Sequence, residues 1–270
     1  MKYVITLLGC IATPCLAGDP FENFHEYGDL SEAEIHQLHS GELLYGDTEF
    51  GFTLSRGNTK STAFKLKSNI YQDFEWWRNQ FKFDGVYRRD TDKTSGEDKV
   101  SAERAFVSAQ GNYKLANKRA SFFVYSDYEQ DRFNGFEYKT TVATGYGNRI
   151  YQGSKNTVDF DIGPGLYQSK TEEDVALAEG EEREQRGYLL RLAMQWERLI
   201  STRTRFNQDV SIEHSLSGLN SRLKSETALI SQVLGGVSLK AAYIYRYNSQ
   251  PADEKQSRDS ELGVTLVYSF

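Results

Sequence analysis

The stretch that decides the fold is "ELGVTLVYSF", residues 261–270, at the end of the chain. Leu262, Val264, Leu266, Tyr268 and Phe270 fall on one side of an extended backbone, and Glu261, Gly263, Thr265 and Ser269 fall on the other. A two-residue period of this kind is a strand with one apolar and one polar face. A barrel explains why such a strand stands last, because its last strand closes against its first and a long tail has nothing to pack on.

The same alternation runs back through the chain to about residue 43. Thr48, Phe50, Phe52 and Leu54 oppose Asp47, Glu49, Gly51 and Thr53, and Phe81, Phe83 and Tyr87 oppose Lys82, Asp84 and Arg88. Val158, Phe160 and Ile162 oppose Asp159 and Asp161, and Tyr188, Leu190, Leu192, Met194 and Trp196 oppose Arg191, Gln195 and Glu197. The phase is ambiguous over 222–233. About twelve such runs of ten or more residues are expected, the length a tilted strand needs to cross a bilayer. Soluble sheets use strands of about five or six residues.

The connections between the runs are unequal. The longest, "RDTDKTSGEDK", "KTEEDVALAEGEEREQ" and "NSQPADEKQSRDS", are the third, seventh and eleventh, all odd-numbered. A membrane barrel with both termini in the periplasm has long loops outside and short turns inside, whereas a soluble sandwich has no reason for the asymmetry. Trp76 and Trp77 fall in a short turn, where an interfacial aromatic girdle belongs. Pro164, between Gly163 and Gly165, predicts a bulge or bend, since proline donates nothing to the ladder.

Residues 1–17, "MKYVITLLGCIATPCLA", have the pattern of a secretory signal peptide: Lys2, an apolar stretch, then small residues up to Ala17. The segment around Cys10 fits a lipoprotein signal poorly. Both cysteines, Cys10 and Cys15, leave with the segment, so the mature chain builds no disulfide framework and no thiolate metal site. Removing Lys2 takes the formal net charge from −6 to about −7, which speaks against a nucleic-acid partner. No apolar window after residue 17 reaches the length of a membrane helix.

Residues 18–42 are expected to form a periplasmic lead-in, with a plug in the lumen as the alternative. Ser31 and Glu34 make a capping box ahead of a short helix over about residues 32–40. His36 and His39 stand at helical spacing there, but a third ligand is missing, so no metal site and no cofactor is expected.

Two resemblances narrow the reading. Glu261, Gly263, Leu266, Tyr268 and the terminal Phe270 resemble the signal by which outer-membrane proteins are handed to the barrel-assembly machinery. "GFTLSRGNTKSTAFKL", with Gly51 and Gly57-Asn58-Thr59 at the first hairpin, and "GPGLY" at 163–167 resemble the YdiY-like family of salt-induced outer membrane proteins, a domain of unknown function. The match covers about residues 43–270. It implies a barrel and a link to salt or envelope stress, and it supplies no catalytic residues or substrate.

The chemistry expected is in the lumen. Lys65, Lys67, Lys82 and Arg88 come from early strands, Asp127, Glu129, Asp159 and Asp161 from middle ones, and Arg191, Arg203, Arg205, Asp209 and Lys240 from late ones. Opposite charges facing one another across a barrel either lock it or line a polar pore. A twelve-stranded barrel lies between those filled by side chains and those that conduct, so a narrow channel and a closed barrel both fit. The expected fold is thus an all-β, antiparallel, up-and-down transmembrane barrel in a Gram-negative outer membrane. It is non-enzymatic, with membrane lipid and lipopolysaccharide as its surroundings. The alternative of another class is an outer-membrane lipid hydrolase, which would depend on His214 as base; Ser215 beside it points to the opposite face and is a poor nucleophile for it.

Overall fold

The computed structural model describes residues 43–55, 60–91, 98–131, 135–173, 182–218, 220–251 and 256–270. The signal peptide, the segment 18–42 with its helix, and His25, His36 and His39 lie outside the described residues. Twelve strands follow in chain order: β1 (Leu43–Ser55), β2 (Lys60–Asp73), β3 (Trp77–Thr91), β4 (Asp98–Lys114), β5 (Ala120–Asp131), β6 (Phe136–Gly153), β7 (Asn156–Thr171), β8 (Glu184–Ser201), β9 (Thr204–Ser215), β10 (Arg222–Leu234), β11 (Val237–Asn248) and β12 (Arg258–Ser269). Each pairs antiparallel with its sequence neighbours, and β12 pairs with β1, so the sheet closes into a barrel.

The barrel is inverted relative to a soluble protein. Phe50, Phe52, Phe122, Val124, Leu262 and Leu266 stand exposed on its outside, whereas Glu49, Lys67, Asp84, Asp127, Arg191, Glu226 and Lys240 are buried on its inside. Water outside would penalise that exterior; a hydrocarbon surround rewards it, and the closed ring leaves few backbone groups for lipid to strand.

Short turns at 74–76, 115–119, 154–155, 202–203 and 235–236 cluster at one end, and the connections at the other include the longest, 172–183 and 249–257. At the turn end Trp76 and Trp77 are exposed, with the Lys118 ammonium 5.3 Å over the Trp76 ring and Trp77 edge-on to Tyr113 at 5.2 Å. Tyr128 and Tyr138 stack at 6.3 Å near the loop end.

Two details differ from expectation. β8 continues to Ser201, so its turn to β9 is Thr202 and Arg203 alone, and Arg203, expected in the lumen, stands in that turn. Leu199 is buried inward and Ile200 exposed outward, extending the alternation two residues further than the polar neighbours suggested. At Pro164 the register with β6 does not shift: Ala143↔Gly165 and Tyr146↔Ile162 belong to one register. Instead the two backbones press together, and a Cβ on Gly163 would lie 2.0 Å from the carbonyl oxygen of Thr144, so only glycine fits.

Candidate functional site in the barrel lumen

Alternation decides which side chains enter the lumen. Odd-numbered residues of β1, β2 and β5–β9 and even-numbered residues of β3, β4, β10 and β11 point inward, and they include most of the strands' charges. A buried charge is costly unless it is paired and hydrogen-bonded, and the lumen meets most of that demand in tiers, although the buried Arg191 Nε and Nη1 and the Arg246 Nε have no hydrogen-bond partner.

The middle tier alternates in sign. Lys67 donates to both carboxylate oxygens of Glu226 at 2.6 Å. Lys240 donates to Glu226 at 2.8 Å and to Glu49 at 2.5 Å, and Lys67 stands 3.9 Å from Glu49. Four strands, β1, β2, β10 and β11, thus converge on two ammonium groups and two carboxylates, all about nine-tenths buried or more.

Above it, toward the loop end, Arg104 donates to Asp84 at 2.6 Å and to Glu129 at 3.3 Å. Arg222, on β10, donates to Glu213 at 2.8 Å through Nε and reaches across the barrel to Thr141 at 2.8 Å. Its Nη1 lies 3.6 Å from Glu129, so Glu129 sits between the two guanidinium groups. Asp127 accepts from the Tyr125 hydroxyl at 2.9 Å and from the Thr141 amide at 2.8 Å, and the Arg191 guanidinium lies 3.7 Å over the Tyr125 ring.

Toward the turn end, Lys82 meets Asp209 at 3.5 Å, and Gln195 donates to Asp209 at 3.1 Å. Gln110 donates to Asp161 at 2.8 Å. At the mouth, Arg149 grips Asp159 through two hydrogen bonds of 2.7 and 2.8 Å, and Lys114 pairs with Asp73.

The ring order gives these contacts their meaning. β3 and β9 are six places apart in a ring of twelve, so Lys82 and Asp209 come from opposite walls. β10 and β4 are also six apart, and the Lys224 ammonium lies 5.2 Å from the Phe106 ring. Side chains from facing walls touch, and the axis is crossed at more than one height.

Of the residues named from sequence, Lys65, Lys67, Lys82, Asp127, Glu129, Asp159, Asp161, Arg191, Arg205, Asp209 and Lys240 lie on inward positions. Arg88 is inward in phase but sits near the loop end of β3, half-exposed, with Asp90 at 3.1 Å. Arg203 is corrected: it occupies the two-residue turn after β8 and is exposed, because β8 runs on to Ser201. The naming missed Arg104, Arg222, Lys224 and Glu226, which carry the outer and middle tiers. The inward phase is blurred along β4 and β10, and the register with β3 and β9 is what brings these residues to the inner face.

At the other end of the chain, Glu261 and Gly263 face inward while Leu266 and Tyr268 face outward. Phe270 exchanges backbone hydrogen bonds with Gly46 at 2.9 and 3.0 Å. His214 is exposed; its Nδ1 lies 3.4 Å from the Ser221 hydroxyl, and Ser215 points inward and is buried.

An uncharacterised Escherichia coli K12 protein, YdiY, is 24% identical over 258 residues, covering 94% of this chain and 95% of that one. Among solved structures, the translocator domain of the autotransporter NalP from Neisseria meningitidis matches with a TM-score of 0.43 at 12% identity, covering 93% of each chain. The outer membrane channel DcaP of Acinetobacter baumannii matches with a TM-score of 0.37 at 11% identity, covering 90% of this chain and 99% of that one. The family described as "Protein of unknown function, DUF481" matches residues 48–270, and the chain, a closed twelve-stranded β-barrel, belongs to it.

Proposed function

We propose that this barrel is a non-enzymatic component of the outer membrane whose axis is closed at rest by its own side chains, a structural element of the envelope rather than an open pore. The contact that carries the reading is Lys82 to Asp209 at 3.5 Å between opposite strands, with Arg222 crossing a second tier. A link to salt stress, which the family resemblance implies, fits the same lumen. Buried pairs are screened by salt much less than exposed ones, so the Lys67–Glu226 and Arg222–Glu213 tiers hold as ionic strength rises, whereas the partly exposed Lys82–Asp209 contact weakens. Lipid and lipopolysaccharide form its surroundings, and Glu261, Gly263, Leu266, Tyr268 and Phe270 form the assembly signal read by the barrel-assembly machinery.

Single-channel recording of the folded barrel in a planar bilayer tests the reading. A silent bilayer is expected, after a heat-dependent gel shift has shown the protein to be folded. Current steps of reproducible size in the unaltered barrel would replace the closed reading with the narrow channel.

One observation favours a second reading, the lipid hydrolase. His214 and Ser221 form a histidine–serine contact on the exposed loop end of the barrel, where an outer-leaflet lipid could reach it. A base also needs a group that orients it, and the hydrogen bonds of the described residues give His214 only Ser221. Phospholipid turnover by the folded barrel that disappears in both His214→Ala and Ser221→Ala would establish this reading.

A further inference from the structure

The seam that closes the barrel is zipped over only part of its length. β1 pairs with β12 from Asp47↔Ser269 to Phe50↔Leu266, below which Gly46 and Phe270 exchange their two hydrogen bonds. Above Phe50 and Leu266 the pairing stops. β1 remains bonded to β2 up to Ser55↔Ser61, and β12 remains bonded to β11 up to Tyr247↔Arg258. Each strand therefore keeps its outer neighbour and loses the partner across the seam. Phe52, Leu262 and Val264 flank the gap with exposed apolar side chains, so it lies within the belt that hydrocarbon covers.

Hydrocarbon cannot satisfy backbone amides and carbonyls, and an open sheet edge facing lipid is not tolerated. Whatever meets this edge must bring polar atoms to the backbone while presenting an apolar surface to the belt. The lumen side of the gap specifies the charge. Lys65 on β2 reaches past β1 to Glu261 on β12 at 2.7 Å, and Arg246 on β11 stands 3.7 Å from the other Glu261 oxygen. Two cations thus share one carboxylate, and the Arg246 Nε is buried without a partner. Gly51 makes the crossing possible: a Cβ there would lie 3.2 Å from the Lys65 Cβ and 3.3 Å from the Thr265 methyl.

We propose that the outer-leaflet half of the β1–β12 seam is a lateral opening for single-chain anionic amphiphiles. The headgroup meets Lys65, Arg246 and the unpaired strand edges, and the acyl chain lies between Phe52 and the Leu262–Val264 face. The Lys65–Glu261 pair is the latch that spans the opening when it is vacant. This goes beyond axial closure and does not depend on it: bilayer silence reports the axis, whereas the following experiment reports the seam.

The full-length barrel, with Cys10 and Cys15 changed to Ser, is folded into phosphatidylcholine vesicles with a long-chain fatty acid that carries a photoreactive diazirine on its chain. The matching fatty alcohol serves as the neutral probe. The acid is expected to label residues 51–55 and 258–265 several-fold more than it labels the Phe122–Val124 face, and the alcohol to label both alike. Lys65→Met with Arg246→Met is expected to bring the acid down to the alcohol's pattern, with Lys65→Arg as the variant that keeps it. Phe52→Cys with Val264→Cys, joined by oxidant, is expected to abolish seam labelling while the gel shift of the folded barrel persists.

Equal labelling by acid and alcohol at the seam would overturn the charge recognition. Spontaneous, complete linkage of Phe52→Cys to Val264→Cys, matching that of the zipped pair Thr48→Cys and Tyr268→Cys, would show the seam closed and overturn the opening. A disulfide between two copies through Phe52→Cys would overturn it in favour of a strand from a second barrel.

Discussion

Lys82 on β3 and Asp209 on β9 stand 3.5 Å apart although their strands lie on opposite sides of the ring. Both side chains keep partial exposure, 27% and 42%, so the pair contributes little to stability, up to about 1 kcal/mol for ion pairs of this kind. Its consequence is geometric. Lys82→Ala with Asp209→Ala should leave the folded fraction almost unchanged and the bilayer still silent, because Arg222 closes a second tier. Adding Arg222→Ala and Glu213→Ala, which removes both charges of the outer pair together, and Lys224→Ala, which removes the crossing to Phe106, should open the axis and give current steps. Steps from the first double variant alone would place the whole constriction at Lys82.

Glu226 should be the costliest single charge to remove. It accepts from Lys67 and Lys240, so Glu226→Gln leaves two buried ammonium groups facing Glu49 alone. Breaking a buried pair from one side costs about 3–5 kcal/mol. Urea unfolding of the barrel in vesicles should show that loss. Lys67→Met added to Glu226→Met should cost less than the two single changes combined, since residues in one network are not additive. Additive losses would mean that the tier does not act as a unit.

The terminal seam depends on fit as well as pairing. A Cβ on Gly46 would lie 2.6 Å from the Asn69 carbonyl oxygen and 2.9 Å from the Phe270 ring. Gly46→Ala should therefore displace backbone as well as the ring, with an overpacking cost of about 1–3 kcal/mol. Deleting Phe270 removes the two hydrogen bonds that end the seam without adding strain. Both changes should slow refolding from urea into vesicles, followed by gel shift, and Gly46→Ala should also lower the final stability. Refolding at the original rate in both would show that closure does not limit folding.

How much of this was legible depends on which solvent wrote the pattern. Lipid outside demands an apolar residue at nearly every second position, so Phe50, Phe52, Leu262 and Leu266 announced their strands. On β10 the signal failed for a physical reason. Ala228 and Ile230 are buried inward, and outward Ser225 and Thr227 are satisfied by Gln208 at 3.0 and 2.6 Å, so polarity no longer marks the face. Arg222, Lys224 and Glu226 were lost with it. β4 hid Arg104 similarly, with Phe106 inward and Ala105 and Ala109 outward. Partnerships across the lumen had no sequence signal, because Lys82 and Asp209 are 127 residues apart and meet only through the tilt and stagger of twelve strands.

Orientation in the membrane is the remaining arrangement that a whole-cell experiment reaches directly. Short turns on the periplasmic side and long loops outside, the usual arrangement, predict that the 172–183 connection, with Glu172, Glu173, Glu182 and Arg183 among its described residues, is reached from the cell surface. The same arrangement predicts that the turn at 74–76, followed by Trp77, faces the periplasm. A protease with broad specificity added to intact cells should cut between residues 171 and 184 and spare Trp76 and Trp77. After the outer membrane is permeabilised, cleavage near the turns should appear if they are accessible at all, while the strands stay protected by their ladders. Cleavage at Trp76 in intact cells, with 171–184 spared, would invert the barrel, and with it the side of the membrane on which the β1–β12 seam opens.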